Sequence, residues 1–349
     1  MKKVFFASLL SMFFLMSCSN DDTFDPIDDP NLVFDNGFFV LNEGAFGGAP
    51  GTATFVSNNL ETVEHEIYMA ANPTKELGLG TVLQSMFFHG ENAYIISNGS
   101  NVITVVNRYT FEFVGEITGG LNAPRYGAAV NGKAYVTNQA GWQTSEDDFI
   151  AVINLETLEV EETVLANAPV EYILEENDKL YIQNAGYGIG NEISVLDPAT
   201  NSITASITVG EGLNSIEIED NTLYALSSSK IEKVDLSSLG VTTLASFPTD
   251  FGSVSNLEVE NGEIYFTSGD KIYSMAIGAS QIPANPIIDY NSNSEFGAMY
   301  GFEVEENRIF IAEGGDFASS SYVKIYSISG DLEKEINVGV APNGFYFNN

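Results

Sequence analysis

The chain is poor in several residue types that chemistry commonly needs. Its 349 residues contain one cysteine, one tryptophan and two histidines, and 13 basic side chains stand against 48 acidic ones. A single cysteine, Cys18, excludes an intramolecular disulfide. His65 and His89 lie in Glu64-His65-Glu66-Ile67, read as an outer strand, and in the turn His89-Gly90-Glu91. Neither has a partner at metal-ligand spacing, so no metal site is read from them. No glycine-rich loop precedes a helix, which leaves no phosphate cradle. The formal net charge of −35 repels phosphate backbones and makes nucleic acid a poor partner. No segment sustains a 3.6-residue apolar period, so helices should be few. The one long apolar run, Val4 to Met16, is too short to span a bilayer as a helix.

What is present is a repeat. Six segments share one pattern: Asn92-Ala93-Tyr94-Ile95-Ile96, Lys133-Ala134-Tyr135-Val136-Thr137, Lys179-Leu180-Tyr181-Ile182-Gln183, Thr222-Leu223-Tyr224-Ala225-Leu226, Glu263-Ile264-Tyr265-Phe266-Thr267 and Arg308-Ile309-Phe310-Ile311-Ala312. Most follow a turn pair such as Asn131-Gly132 or Asn261-Gly262. A seventh, Asn36-Gly37-Phe38-Phe39-Val40-Leu41, lies near the start. From Tyr94 the aromatic recurs after 41, 46, 43, 41 and 45 residues. A period of this length, built from short alternating strands, predicts an all-β, seven-bladed β-propeller of four-stranded antiparallel blades over residues 36–349. The first repeat starts at its second strand. The C-terminal Gly344-Phe345-Tyr346-Phe347-Asn348 should therefore pair with Phe38 to Leu41 and close the ring.

The N-terminus carries an address. Lys2 and Lys3 precede the apolar run, the signature of a secretory signal over residues 1–17. Leu15-Met16-Ser17-Cys18 resembles a bacterial lipobox, which implies lipidation of Cys18; the alternative is an ordinary signal with a stray cysteine. Residues 18–35, with Asp21, Asp22, Asp25, Asp28 and Asp29, read as an acidic tether spanning on the order of 23 Å. The acidic stretch after the cysteine resembles the export signal of Bacteroidetes surface lipoproteins. The expected location is the outer membrane, exposed at the cell surface and held there by the lipid alone.

The cadence Val195-Leu196-Asp197-Pro198-Ala199-Thr200, with Val40-Leu41-Asn42-Glu43-Gly44 and Val338-Gly339-Val340-Ala341-Pro342-Asn343-Gly344-Phe345, resembles the YVTN/YncE-like propellers. Within them it is similar to the Bacteroidetes surface-lipoprotein branch that includes BtuG-like cobalamin-capture proteins. That resemblance implies capture of cobalamin or a related corrinoid and its transfer to a TonB-dependent outer-membrane transporter. It implies no catalytic residue and no cofactor. The alternatives are a glycan-binding propeller of a polysaccharide-uptake system and, less well supported, a carbohydrate-active lyase or hydrolase. Quinoprotein dehydrogenases share the architecture but carry repeated tryptophan motifs, and this chain has only Trp142.

The candidate ligand face follows from the repeat. Strand starts around the channel should present Gln84, Ser85, Arg125, Tyr126, Glu171, Tyr172, Asn214, Asn256, Tyr300 and Asn343. Arg125, one of three arginines, either meets a ligand there or bridges to Glu171 of the next blade. Four loops after second strands are read as long, and they carry Phe46, Trp142, Tyr187 and Phe317. These rings either stack on a ligand or pin their own loops. A cation site at Glu146-Asp147-Asp148 would need converging oxygens that sequence does not display.

Overall fold

The computed structural model describes residues 33–45, 47–75, 78–141, 144–186, 188–292 and 294–349. They form seven four-stranded antiparallel sheets in chain order, a seven-bladed β-propeller. Blade 2 spans residues 83–117, blade 3 124–165, blade 4 173–208, blade 5 215–246, blade 6 254–289 and blade 7 301–340. Blade 1 combines Gly37–Asn42, Thr52–Ser57 and Val63–Glu64 with the C-terminal strand Pro342–Asn348.

Local chemistry accounts for the hairpins. Where first and second strands meet, Asn131-Gly132, Asn177-Asp178, Asp220-Asn221, Asn261-Gly262 and Glu306-Asn307 all take positive φ at both positions. That is the type I′ geometry whose twist matches the flanking strands, and Asn, Asp and Gly tolerate it best. The alternating apolar residues then pack between neighbouring blades. The repeat aromatics Tyr94, Tyr135, Tyr181, Tyr224, Tyr265 and Phe310 are all at most 5% exposed. Blades 7 and 1 share one such layer, with Phe38, Val40, Phe310, Val323 and Phe345 in a single cluster.

The ring closes as the repeat requires. Phe38 opposes Phe347, Phe39 opposes Tyr346 and Val40 opposes Phe345. Phe345 lies 5.5 Å and Phe347 5.1 Å from the Phe310 ring, centre to centre. Asn348 is fully buried; its Nδ2 donates to the Phe34 and Arg108 carbonyls and its Oδ1 accepts from Arg108 Nε.

Two local readings change. His65 does not lie in a strand: the outer strand of blade 1 stops at Glu64, and Glu66, at φ 51°, starts a short helix at Ile67–Ala71. The long loop read over Ala185 to Ile189 is cut short, because the strands of blade 4 run to Gly186 and resume at Ile189, and those two residues pair.

Candidate functional site

The first strands of the blades line a cavity of about 470 Å³ on the propeller axis. How they present their side chains is a backbone matter. In blade 2, Leu83 pairs with Ser97 and Ser85 with Ile96, so Gln84 is an extra, unpaired residue. The same kind of bulge falls at Arg125 and Tyr126, at Asn256 and Leu257, and at Asn343. Bulges re-aim side chains at sheet rims. Here they turn polar groups into the mouth of the channel. Two residues before three of these sites, Val82, Ala123 and Ala341 adopt φ near 50°. A left-handed β-branched residue such as Val82 is strained, a condition that concentrates at functional sites.

All ten residues read from the strand starts, Ser85 and Glu171 among them, line this one cavity. Every blade supplies at least one. A hydrogen-bonded belt joins them. Arg125 Nε donates to both Glu171 carboxylate oxygens at 3.2 Å, and its Nη1 and Nη2 donate to Gln84 and Glu171. Gln139 Nε2 donates to Glu171 at 2.7 Å, and Gln84 Nε2 donates to the Tyr126 hydroxyl at 3.2 Å. Arg125 therefore makes the inter-blade bridge, with both partners largely covered. Farther round, Glu43 accepts from the Tyr300 hydroxyl at 2.7 Å and from Asn343 Nδ2 at 3.0 Å. Burial pushes the Glu43 carboxyl up, and those two donors partly offset it. Burial also holds the phenols of Tyr126 and Tyr300 above their ordinary range, so both remain donors. Asn214 Oδ1 accepts from the Asn256 backbone, and Asn256 Nδ2 donates to Thr267 and to the Met299 carbonyl.

The aromatic rim divides differently. Phe46, Trp142 and Tyr187 lie outside the described residues. Phe317 is half-buried and packs edge-on to Tyr300 at 5.0 Å and 88°. It braces a mouth residue of the same blade, a role distinct from stacking on a ligand or pinning its own loop. Tyr172 and Tyr300 keep 37% and 40% of their surface exposed and give the mouth its accessible rings. Neither histidine lines the cavity.

Three features were not read from the sequence. The connection from Tyr290 to Tyr300 is a built loop: Ser292 donates to Glu313, Ser294 donates to the Gly315 carbonyl, and Gly314 donates to the Gly297 carbonyl. It carries Phe296, 78% exposed. A second pocket of about 280 Å³, sharing Arg125 and Gly186 with the first, contains Asp148. Asp148 is 3% exposed, and burial raises its pKa to about 6. The third feature is an acidic arc deeper in the channel, formed by Glu217, Glu258 and Glu303. The recurring Ile216-Glu217-Ile218-Glu219, Leu257-Glu258-Val259-Glu260 and Phe302-Glu303-Val304-Glu305 was its available signal.

Fold and site together define a β-propeller with a polar axial cavity. Residues 36–348 match the family described as domain of unknown function DUF5074, and the chain belongs to that family. No curated protein matches it. Among solved structures it is similar to a quinonprotein alcohol dehydrogenase-like protein from Bacteroides thetaiotaomicron, at 16% identity and TM-score 0.67 over 90% of this chain and 79% of that one. It is also similar to a putative 6-phosphogluconolactonase from Bacteroides uniformis, at 12% identity and TM-score 0.65 over 89% and 99%. A functionally unknown protein from Desulfotomaculum acetoxidans aligns at 11% identity and TM-score 0.62 over 89% and 98%. Such identities establish the fold and leave the chemistry to the site.

Proposed function

We propose that the propeller is a non-enzymatic capture domain for a small ligand, held at the axial mouth, and that its leading ligand is a corrinoid. The observation that carries this reading is the mouth itself: amide and phenol side chains from every blade around one cavity of about 470 Å³. That volume falls in the range of small-molecule sites, roughly 300–1,000 Å³. Amides offer donors and acceptors alike, which suits a ligand fringed with amides. A corrin macrocycle would rest across the rim on Tyr172 and Tyr300, with only a projecting group entering the cavity. On this reading Cys18 carries the lipid, and a TonB-dependent outer-membrane transporter receives the ligand.

Calorimetric titration of the purified protein with cyanocobalamin should give saturable one-to-one binding. Tyr172→Ala should weaken it roughly thirtyfold, since truncating an aromatic anchor costs about 2 kcal/mol. Its melting temperature should stay near that of the native protein, and His65→Ala should change nothing. Absence of heat with cyanocobalamin but saturable heat with an oligosaccharide would move the reading to glycan capture, for which the exposed Tyr172, Tyr300 and Phe296 offer stacking surfaces.

The anchor is tested separately. Cys18→Ala should shift the protein from the membrane to the soluble fraction. Protease added to intact cells should remove the native domain; a protected domain would place it on the periplasmic side.

A further inference from the structure

Beside the mouth, blade 7 carries a cleft of its own, of about 500 Å³. It lies between the segment Ser294 to Gly297 and the loop that follows the second strand of the blade. Among the described residues it shares none with the axial cavity. The two segments clamp each other. Gly314 donates to the Gly297 carbonyl at 2.8 Å, and Ser294 Oγ accepts from the Gly297 backbone and donates to the Gly315 carbonyl, both at 2.7 Å. A Cβ on Gly297 would meet the Gly315 nitrogen at 2.6 Å, so only glycine lets the backbones approach this closely.

The clamp holds an apolar ring in water. Phe296, next to Gly297, is 78% exposed and lines the cleft together with Phe317 and Tyr322. A single exposed phenylalanine is ordinary, but three rings on one cleft offer a stacking surface. The rest of the lining is rich in hydrogen-bond acceptors. Glu313 is 2% exposed, opposes Tyr322 across the ladder, and accepts from the Ser292 hydroxyl at 2.9 and 3.1 Å. Asp316 accepts from the Ala318 and Ser319 backbones at 3.0 and 2.8 Å. A carboxylate offers about four acceptor positions, so both keep room for further donors.

Ser321 is an independent sign of a ligand. It is 7% exposed and lines the cleft. Pairing with the second strand ends at Glu313 and Tyr322, and pairing with the fourth skips from Tyr322 and Asn337 to Ser320 and Val340, so Ser321 has no ladder partner. Its hydroxyl makes no hydrogen bond among the described residues and is not sealed off from the cleft. A hydroxyl covered to this degree ordinarily has a partner.

We infer that this cleft binds a neutral pyranose unit of a glycan, with one face of the sugar ring on Phe296 and its hydroxyls toward Glu313, Asp316 and Ser321. A pyranose combines a flat C–H face with a rim of hydroxyls, each both donor and acceptor, and so meets the ring, the carboxylates and the serine together. Among the described residues no basic side chain lines the cleft, and two carboxylates repel a uronate, sulfate or phosphate. No three acidic, histidine or cysteine side chains are grouped there to hold a metal ion, again among the described residues. The volume is that of a small-molecule site rather than a protein interface. Binding here does not depend on what the mouth holds.

Calorimetric titration of the whole protein with cellotetraose, maltotetraose and mannotetraose tests this, with tetragalacturonate as the anionic counterpart. At least one neutral tetrasaccharide should bind saturably and tetragalacturonate should not. Phe296→Ala should weaken the sugar about tenfold or more, while Phe296→Tyr keeps it. Ser321→Ala should weaken it about fivefold. Tyr172→Ala, at the mouth, should leave it unchanged, and Phe296→Ala should leave cyanocobalamin binding unchanged. Phe296 is so exposed that its truncation spares the fold, which an unchanged melting temperature checks. No saturation with any of the three neutral sugars would overturn the site. So would equal affinity in Phe296→Ala, or an equal loss in Tyr172→Ala, which would put the sugar at the mouth. Sugar binding lost in Phe296→Ala and kept in Tyr172→Ala, without cyanocobalamin binding, sinks the corrinoid alone; cyanocobalamin binding without any sugar sinks the cleft alone.

Discussion

Deleting residues 342–349 leaves a chain that no longer melts as a cooperative native protein. The deletion removes the whole inner strand of blade 1 and its ladder to Gly37–Asn42. It takes Phe345, 4% exposed, from the layer shared with Phe38 and Phe310, and Phe347 from the edge of that layer. It also removes Asn348, which ties the Phe34 carbonyl to Arg108. Burial of one such aromatic contributes about 1.5–3 kcal/mol, and native proteins have only about 5–15 kcal/mol in total. The exposed edge at Phe38 to Leu41 would then offer an open pairing site to other chains. Thermal melting followed by near-ultraviolet circular dichroism checks this. A truncated protein that melts within a degree or two of the full chain contradicts closure by the C-terminal strand.

The second large effect is on pH. In the folded channel Glu217, Glu258 and Glu303 hold their protons more tightly than in the unfolded chain, chiefly because burial disfavours the charged form. The folded state therefore binds more protons across the window between the unfolded and folded values, and unfolding stability falls as pH rises there. For Glu217 the window runs from 4.5 to about 7, and for the other two it opens at the same 4.5 and reaches well above it. Asp148 adds a contribution confined to the range from 3.8 to about 6. Surface carboxylates titrate mostly below about pH 5, so a falling melting temperature between roughly pH 6 and pH 8 belongs to the channel. The Glu258→Gln, Glu303→Gln double variant should flatten that slope and melt roughly 5 °C or more above the native protein near pH 8. A native protein whose melting temperature is level or rising over that interval would show that the carboxyls ionise without penalty.

How far the sequence could be read depended on whether a feature is periodic. The recurring aromatic carries the blade count, and the missing first strand of the first repeat carries the closure. Once the period is known, the mouth residues follow from strand starts, which is why all ten come together on one cavity. The bulges that turn Gln84, Arg125, Asn256 and Asn343 inward leave no comparable mark, since Val82, Ala123 and Ala341 are not residues that ordinarily advertise a left-handed backbone. The acidic arc was hidden for a different reason. Alternating glutamates on a strand look like a solvated face, and only the closed ring turns Glu217, Glu258 and Glu303 toward one another. The Tyr290 to Tyr300 loop depends on contacts with blade 7 that no local pattern announces. The hairpin through Gly186 was read as a loop because its glycines outweighed its pairing in local propensity.

The most direct measurement of the capture reading uses the single tryptophan of the chain. Trp142 is one of the rings the sequence assigns to the candidate ligand face, and as the chain's single tryptophan it gives the emission one source. Titration with cyanocobalamin should quench it along a saturable one-site curve, and Tyr172→Ala should move the midpoint roughly thirtyfold higher. Quenching that rises linearly without saturation, and identically in the native protein and in Tyr172→Ala, would contradict capture of a corrinoid at the propeller mouth.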